Sequence, residues 1–173
     1  METPEGRPNL LPPGVVMGVD WGRKRIGLAV CDSSQTMVFP LKIMPSSGLK
    51  GDLSGMRRAA TENGVKSIVV GWPTHANGDP GQNCPEILRW VEAVCSPVGV
   101  PVFMADERYS SVLADEVLRE SGRRASQRKG LLDSMAAREF LQDVLTGGCR
   151  VWPLGQNPPQ LDMLEPKHRP GRH

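Results

Sequence analysis

The stretch VVMGVDWGRKRIGLAVCD, residues 15–32, constrains the fold more than any other part of this chain. Residues 15–21 and 26–31 are two apolar runs, and the first contains a single charged residue, Asp20. These runs predict two strands joined at Gly22 by a tight basic turn. A carboxylate inside an apolar strand is costly to bury unless it is hydrogen-bonded, paired with a cation or bound to a metal. Asp20 is therefore the first candidate functional residue.

Beyond this hairpin, predicted strands and helices alternate. A short edge strand and two buried strands are predicted at residues 39–44, 67–72 and 100–104. Helices are predicted at residues 52–63 with Asp52 as the N-cap, at 85–95, at about 110–121 and at 129–145. This order predicts an α/β fold whose mixed β-sheet, antiparallel at its start and parallel at its finish, is flanked by α-helices.

The length of 173 residues fits a single domain, and proline-rich sequence lies at both ends. We therefore expect a folded domain over residues 15–150, a disordered extension over 1–14 and a proline-rich disordered tail over 151–173. No run approaches the roughly 18 apolar residues that a membrane span needs, and the N-terminus lacks a signal peptide's apolar segment. The four cysteines show no C-x-x-C spacing, which favours free thiols in a cytoplasmic protein without membrane contact.

Two further acids lie where an α/β sheet places its functional groups. Glu107 follows the predicted strand at 100–104, and ligands of open α/β sheets bind beyond the carboxyl ends of parallel strands. Asp133 shares one face of the last predicted helix with Ala136, Ala137 and Phe140, so it faces the apolar side. Both positions also have ordinary explanations, namely a charged strand end in solvent and an acid that favours the macrodipole near a helix start.

Together, Asp20, Glu107 and Asp133 would form a carboxylate cluster drawn from two strands and a helix. Two unit charges about 4 Å apart repel by roughly 4 kcal/mol at an effective dielectric near 20, so the cluster needs a cation or a proton. Ligation by oxygen atoms alone favours Mg²⁺ or Mn²⁺ over zinc. Two such ions roughly 4 Å apart activate water and stabilise the leaving oxygen in phosphodiester cleavage.

Basic residues lie near these acids in the sequence. The net charge is only +2, so contacts with nucleic acid have to come from local clusters. The candidate nucleic-acid-binding residues are Arg23, Lys24, Arg25, Arg108, Arg123, Arg124, Arg128 and Lys129. A solvated helix end or loop is the ordinary alternative for such charge runs.

Four segments resemble the YqgF/RuvX family, whose members are described as Holliday junction resolvases and as pre-16S ribosomal RNA nucleases with a ribonuclease H-like fold. The segments are GVDWGRKRIGLAVCD, IVVGWPTHANGDPG, VPVFMADERYSS and RKGLLDSMAAREFLQ, in that order. The resemblance implies that Asp20, Glu107 and Asp133 are the catalytic acids and the metal ligands. It also implies a substrate of structured nucleic acid, either precursor ribosomal RNA or branched DNA.

The chain departs from the family's pattern at two places. Arg23 stands where the family usually has a small residue such as threonine, with Trp21 on the other side of Gly22. Asn77 stands where an aspartate commonly precedes the glycine of the loop. Neither departure affects the three acids that the resemblance implies, but both change residues at the expected rim of the substrate site.

Three functions remain in view. The main expectation is a metal-dependent nuclease that matures the 5′ end of 16S ribosomal RNA. The alternatives are a Holliday junction resolvase in DNA recombination, which we expect to be a homodimer because it cuts symmetry-related strands, and a non-catalytic nucleic-acid-binding factor in transcription or ribosome assembly. A phosphotransferase of the actin and sugar-kinase type shares the Asp-x-Gly motif, but its duplicated fold needs more than 173 residues.

Overall fold

The computed structural model describes residues 11–73, 84–107 and 125–156 and, for residues 107 and 125–134, the backbone alone. The strands in these ranges are β1 (Val15–Asp20), β2 (Arg25–Cys31), β3 (Val38–Pro40), β4 (Met44–Pro45), β5 (Val65–Pro73), β6 (Val102–Glu107) and β7 (Val151–Pro153). The helices are α1 (Leu49–Glu62), α2 (Cys84–Trp90) and α3 (Ala125–Leu145). A π-helical turn, Val91–Cys95, continues α2 into a short 3₁₀ helix, Ser96–Val98.

The strands of the described residues form a mixed sheet in the order β3-β2-β1-β5-β6-β7, with β4 paired to β2. β1 is antiparallel to β2 and parallel to β5, β6 is parallel to β5, and β7 is antiparallel to β6. The predicted mixed sheet, antiparallel at its start and parallel at its finish, is confirmed, and so is the edge position of β3. Because β1 lies inside the sheet, its last residue, Asp20, has β2 on one side and β5 on the other.

Side chains alternate between two faces of this sheet, and helices cover both. One face packs against α1, α2 and the turn after α2, and it carries Met17, Val19, Ile68, Val70 and Met104. The opposite face packs against Ala137, Phe140 and Leu141 of α3, and it carries Val16, Ala29, Val69, Phe103 and Ala105. Because β5 is buried on both faces, it has the continuous apolar sequence that predicted it.

α3 approaches β1 very closely at Gly18. A β-carbon added to Gly18 would lie 2.9 Å from the β-carbon of Leu141. Both β-carbons are fixed to their backbones, so the strand and the helix can pack at this separation only with glycine at residue 18. This contact sets the distance of α3 from the central strand.

The first helix begins earlier than the sequence predicts. α1 starts at Leu49 with Gly48 as its N-cap residue, and Asp52 lies buried in its first turn. The Asp52 carboxylate accepts hydrogen bonds from the Ser46 hydroxyl at 2.8 Å, the Ser47 amide at 2.9 Å and the Trp90 indole at 3.0 Å. The prediction of Asp52 as N-cap is wrong because this carboxylate joins the segment before α1 to the end of α2.

The C-terminal boundary of the folded domain also differs from the prediction at residue 150. Residues 151–153 form β7, and Trp152 is buried with its ring edge-on to Trp72 at a centroid distance of 6.4 Å. The prolines from residue 151 onward are the reason that the sequence predicts a disordered tail here. Pro153, however, ends β7 at the edge of the sheet, where a missing N–H group is tolerated.

At the other end of the chain, the residues directly before β1 also belong to the domain. Leu11 is buried against the core under α3. The Gln35 side chain donates hydrogen bonds to the carbonyl oxygens of Pro12 at 2.8 Å and Gly14 at 2.9 Å. The predicted disordered extension over residues 1–14 is therefore wrong for residues 11–14.

The remaining predictions have mixed outcomes. The helix predicted at 129–145 is confirmed and begins earlier, at Ala125, whereas the strand predicted at 39–44 divides into β3 and β4. The helix predicted at about 110–121 lies outside the described residues. All four cysteines are free, and Cys31, Cys84 and Cys95 are buried. None of the helices in the described part of the chain is long and apolar enough to cross a membrane.

Candidate active site

Asp20 is the last residue of β1 and lies half-buried between the paired strands of the sheet. Its Cα partner on β2 is Gly27. By the alternation of the strand, Asp20 belongs to the same face as Val16 and Gly18, which is the face covered by α3. The acid that interrupts the apolar run is therefore placed at the carboxyl end of a central strand and on the α3 side.

Glu107 occupies a position on the same face at the end of β6. In the parallel register, Val19 pairs with Val70, Gly71 with Ala105, and Pro73 with Glu107. Residue 107 alternates with Ala105, which packs under α3, so positions 20 and 107 belong to one face of the sheet. Both positions lie at carboxyl ends of strands that flank β5.

Asp106 belongs to the opposite face and has a different environment. It is buried with 7% of its surface exposed, and its amide donates a hydrogen bond to the Arg150 carbonyl oxygen at 3.1 Å. The neighbouring acids of β6 are therefore separated by the sheet. Only position 107 lies on the α3 side with Asp20.

Asp133 is part of α3, the helix that covers this face. Its position lies on the stripe of the helix that continues through Ala136, Ala137, Phe140 and Val144, all of which are buried. The three candidate acids thus come from β1, β6 and α3, with positions 20 and 107 on the face of the sheet that α3 covers.

The chemistry of these positions suits a hard divalent cation. Carboxylate oxygens from two strand ends and a helix are the ligand type that Mg²⁺ and Mn²⁺ prefer. Among the side chains that the structure describes, no group of three or more His, Cys, Asp or Glu residues could hold a metal ion.

The turn between β1 and β2 places basic residues beside Asp20. A β-carbon on Gly22 would lie 2.6 Å from the carbonyl oxygen of Arg25, so the turn is tight enough to require glycine. Arg23 and Lys24 are exposed, and Arg25 is half-buried at the start of β2. The Arg23 guanidinium forms an ion pair with Glu86 of α2, with 2.8 Å between Nε and Oε2.

Comparison with a family model decides what kind of protein this is. The model of the RuvX family, described as Holliday junction resolvase, matches residues 14–147. The chain belongs to this family. The match includes all three candidate acids and ends just beyond α3.

Two relatives of this RuvX chain carry the name "Putative pre-16S rRNA nuclease". The relative from Chloroflexus aggregans is 35% identical over 130 residues, which is 75% of this chain and 92% of the relative. The relative from Syntrophomonas wolfei is 38% identical over 133 residues, or 77% of this chain and 94% of the relative. Among solved structures, T. thermophilus RuvC in complex with a Holliday junction substrate is similar at 17% identity with a TM-score of 0.47, covering 82% of this chain and 99% of that chain.

The structure describes the other predicted nucleic-acid-binding residues of the RuvX chain only in part. Arg108, Arg123 and Arg124 lie outside the described residues. Arg128 and Lys129 belong to the first turns of α3, with their backbones alone described. Asn77, at which the chain departs from the family's pattern, also lies outside the described residues. Of the eight basic candidates, the structure describes the side chains of the three in the β1–β2 turn.

Sequence reasoning missed one charged residue at this edge of the sheet, Glu86. It lies in the first turn of α2 and reaches Arg23 across a sequence separation of 63 residues. No local pattern could have indicated the contact, because it depends on the packing of α2 beside the β1–β2 turn. The contact is informative because it holds one of the predicted nucleic-acid-binding residues.

Proposed function

We propose that this RuvX chain is a metal-dependent nuclease that hydrolyses phosphodiester bonds of structured nucleic acid during maturation of the 5′ end of 16S ribosomal RNA in the cytoplasm. The observation that carries the proposal is the position of Asp20, an acid at the carboxyl end of a central strand on the face that α3 covers. Position 107 belongs to the same face, and α3 contains residue 133.

The protein's own part in this reaction is to position oxygen ligands and phosphate groups. Asp20, Glu107 and Asp133 would hold Mg²⁺ or Mn²⁺, which supplies an activated water and stabilises the leaving oxygen. Asp20 is held by a strand paired on both sides, and the contact of α3 with Gly18 fixes the helix over that strand. Basic side chains of the β1–β2 turn would bind the phosphate backbone next to the scissile bond.

The names of the relatives favour RNA over DNA as the substrate. The relatives from Chloroflexus aggregans and Syntrophomonas wolfei are both named for pre-16S rRNA. The family description, by contrast, is that of a Holliday junction resolvase. Junction cleavage is therefore the second candidate function, and it carries the additional requirement of a two-fold dimer.

Cleavage assays with both substrates test the proposal. Precursor 16S RNA and a four-way DNA junction are incubated with Mg²⁺ or Mn²⁺ and with wild type, Asp20→Asn or Asp133→Asn. Asp143→Asn is the matched control, because it makes the same change on the exposed side of α3. We expect the control to cut the RNA at the wild-type rate. We expect Asp20→Asn and Asp133→Asn to fold but to lose at least about 100-fold in rate, since each removes a charged ligand.

Other results would assign a different function. Cleavage of the junction alone would favour the resolvase. Binding of RNA without cleavage under either metal would contradict the nuclease and support a binding factor in ribosome assembly. Full activity of Asp133→Asn would exclude that residue from the metal site.

A further inference from the structure

Arg23 is held in the structure by an acid from a distant part of the chain. Its Nε donates to both carboxylate oxygens of Glu86, at 2.8 Å to Oε2 and 3.3 Å to Oε1. The Arg23 side chain is 67% exposed and that of Glu86 is 38% exposed. The ion pair therefore lies at the surface, where a phosphate group can reach the guanidinium.

The arginine side of the pair is fixed beside the candidate active site. Arg23 is three residues after Asp20 in the turn, and the close approach of Gly22 to the Arg25 carbonyl leaves the turn little freedom. Its guanidinium lies at the carboxyl edge of the sheet but on the side of α2, which packs against the face opposite to that of Asp20. A guanidinium released from Glu86 would add positive charge at the edge where β1 ends.

The glutamate side is fixed to the same edge of the sheet. The buried Cys84 thiol donates to the Pro73 carbonyl oxygen at 3.3 Å, which ties the start of α2 to the end of β5. Pro73 is the register partner of Glu107. Ile87 is buried in the core directly after Glu86 and anchors this turn of the helix. The ion pair therefore spans from the turn beside Asp20 to the helix that begins at the end of β5.

The pair is weak enough to be exchanged for a better partner. Ion pairs between exposed side chains contribute about 0–1 kcal/mol and are weakened further by salt. Arginine forms stronger, bidentate hydrogen bonds with phosphate, whose geometry matches the guanidinium fork. A phosphate group at this edge can therefore replace Glu86, at the cost of breaking the ion pair and of lying near the Glu86 carboxylate.

We propose that Glu86 is an electrostatic restraint on Arg23 that lowers the affinity of this edge for nucleic acid. It occupies Arg23 in the free protein, and a phosphate group has to displace it to reach the guanidinium. The inference rests on the proposed function, because it assumes that nucleic acid approaches the edge that carries Asp20. Its consequence is that Glu86 weakens the binding of every nucleic acid that uses Arg23.

Binding measurements on charge variants test this role. A fluorescently labelled RNA duplex of unrelated sequence and a labelled precursor 16S RNA fragment are titrated in EDTA, and anisotropy is followed over a range of salt concentrations. Glu86→Gln should bind the unrelated duplex roughly 1.5- to 5-fold more tightly, which corresponds to the usual strength of an exposed ion pair. Its logarithmic salt dependence should become steeper by about 0.7–0.9, the value of one additional phosphate contact. The precursor RNA should gain by a similar factor, because it has to displace the same carboxylate.

Two further variants separate this role from a change in net charge. Glu92→Gln removes the same charge from an exposed position further along the same helical segment, and it should tighten binding less than Glu86→Gln. Arg23→Gln introduced into Glu86→Gln should abolish the gain. Thermal unfolding of each variant verifies that the fold is kept.

Each remaining outcome has a defined meaning. Equal tightening by Glu86→Gln and Glu92→Gln, or weaker binding by Glu86→Gln, would overturn the proposed role. If wild type binds and cleaves RNA but Glu86→Gln is unchanged, only this inference fails. If neither wild type nor any variant binds nucleic acid, the proposed function fails as well.

Discussion

Replacing Gly18 with alanine tests whether the close packing of α3 on β1 holds the candidate acids in place. The added β-carbon would lie 2.9 Å from the β-carbon of Leu141. Non-bonded carbon atoms normally rest about 3.5–4.0 Å apart, so α3 has to move outward by about 0.6–1.1 Å. No rotamer change of Leu141 avoids this shift, because its β-carbon is fixed to the helix backbone.

The expected cost follows from two opposing effects. Overpacking of a core costs about 1–3 kcal/mol, whereas replacing glycine with alanine in a strand returns about 0.5–1 kcal/mol. Since the middle values of these ranges differ by about 1 kcal/mol, we expect the free energy of unfolding of Gly18→Ala to fall by about 1 kcal/mol. A displacement of about 1 Å between reacting groups can cost about 100-fold in rate, so we expect kcat for RNA cleavage to fall by about tenfold or more.

Gly55→Ala is the matched control for this experiment. A β-carbon on Gly55 would contact the sulfur of Met44, which is the end of a flexible, half-buried side chain that can move away. Because alanine is favoured over glycine inside a helix by about 1 kcal/mol, Gly55→Ala should be neutral or stabilising. Urea unfolding followed by tryptophan fluorescence gives the stabilities. An unchanged midpoint for Gly18→Ala would refute the packing argument, and a lowered midpoint with unchanged kcat would refute the link to the acids.

Three further substitutions test other parts of the fold. Trp152→Ala should lower the free energy of unfolding by about 3–5 kcal/mol in urea if β7 belongs to the core, and a stability within about 1 kcal/mol of wild type would contradict this. Asp52→Ala leaves the Trp90 indole without its acceptor and should cost about 2–4 kcal/mol, measured in the same way. Hydrogen bonds, of which that from the Met37 amide has the largest effect, hold the pKa of Asp32 well below its usual range. The stabilising effect of this carboxylate is therefore full only above about pH 5 and is lost as the pH falls towards the low folded-state pKa, so the melting temperature of Asp32→Asn should be lower than that of wild type at pH 7, and the difference should narrow steadily below about pH 4.

The sequence predicted those parts of the fold whose signals are local. The apolar runs on either side of Gly22 and the run before Trp72 became β1, β2 and β5, because burial leaves a direct pattern in composition. The face of the last helix that was predicted to be apolar is the buried face of α3. The sequence also placed Asp20 at the end of a strand that proved to be central.

Features that depend on distant partners could not be predicted in this way. Asp52 has the sequence signature of an N-cap, but its carboxylate binds Trp90, which is 38 residues away. β7 has only three residues, one of which is proline, and its stability comes from pairing with β6 and from the burial of Trp152. The ion pair of Arg23 with Glu86 is invisible for the same reason. For the candidate site, local signals named the acids, and tertiary register then showed that positions 20 and 107 share a face.

The packing of the last helix on the first strand has a consequence for the order of synthesis. Chains are made from the N-terminus, so β1 leaves the ribosome long before α3. Until α3 follows, the apolar face of the sheet that includes Val16 and Val69 has no cover in the described fold. The incomplete chain also lacks residue 133, so the proposed site cannot assemble on it. A nuclease built in this way would remain inactive on the RNA around it until α3 has been synthesised.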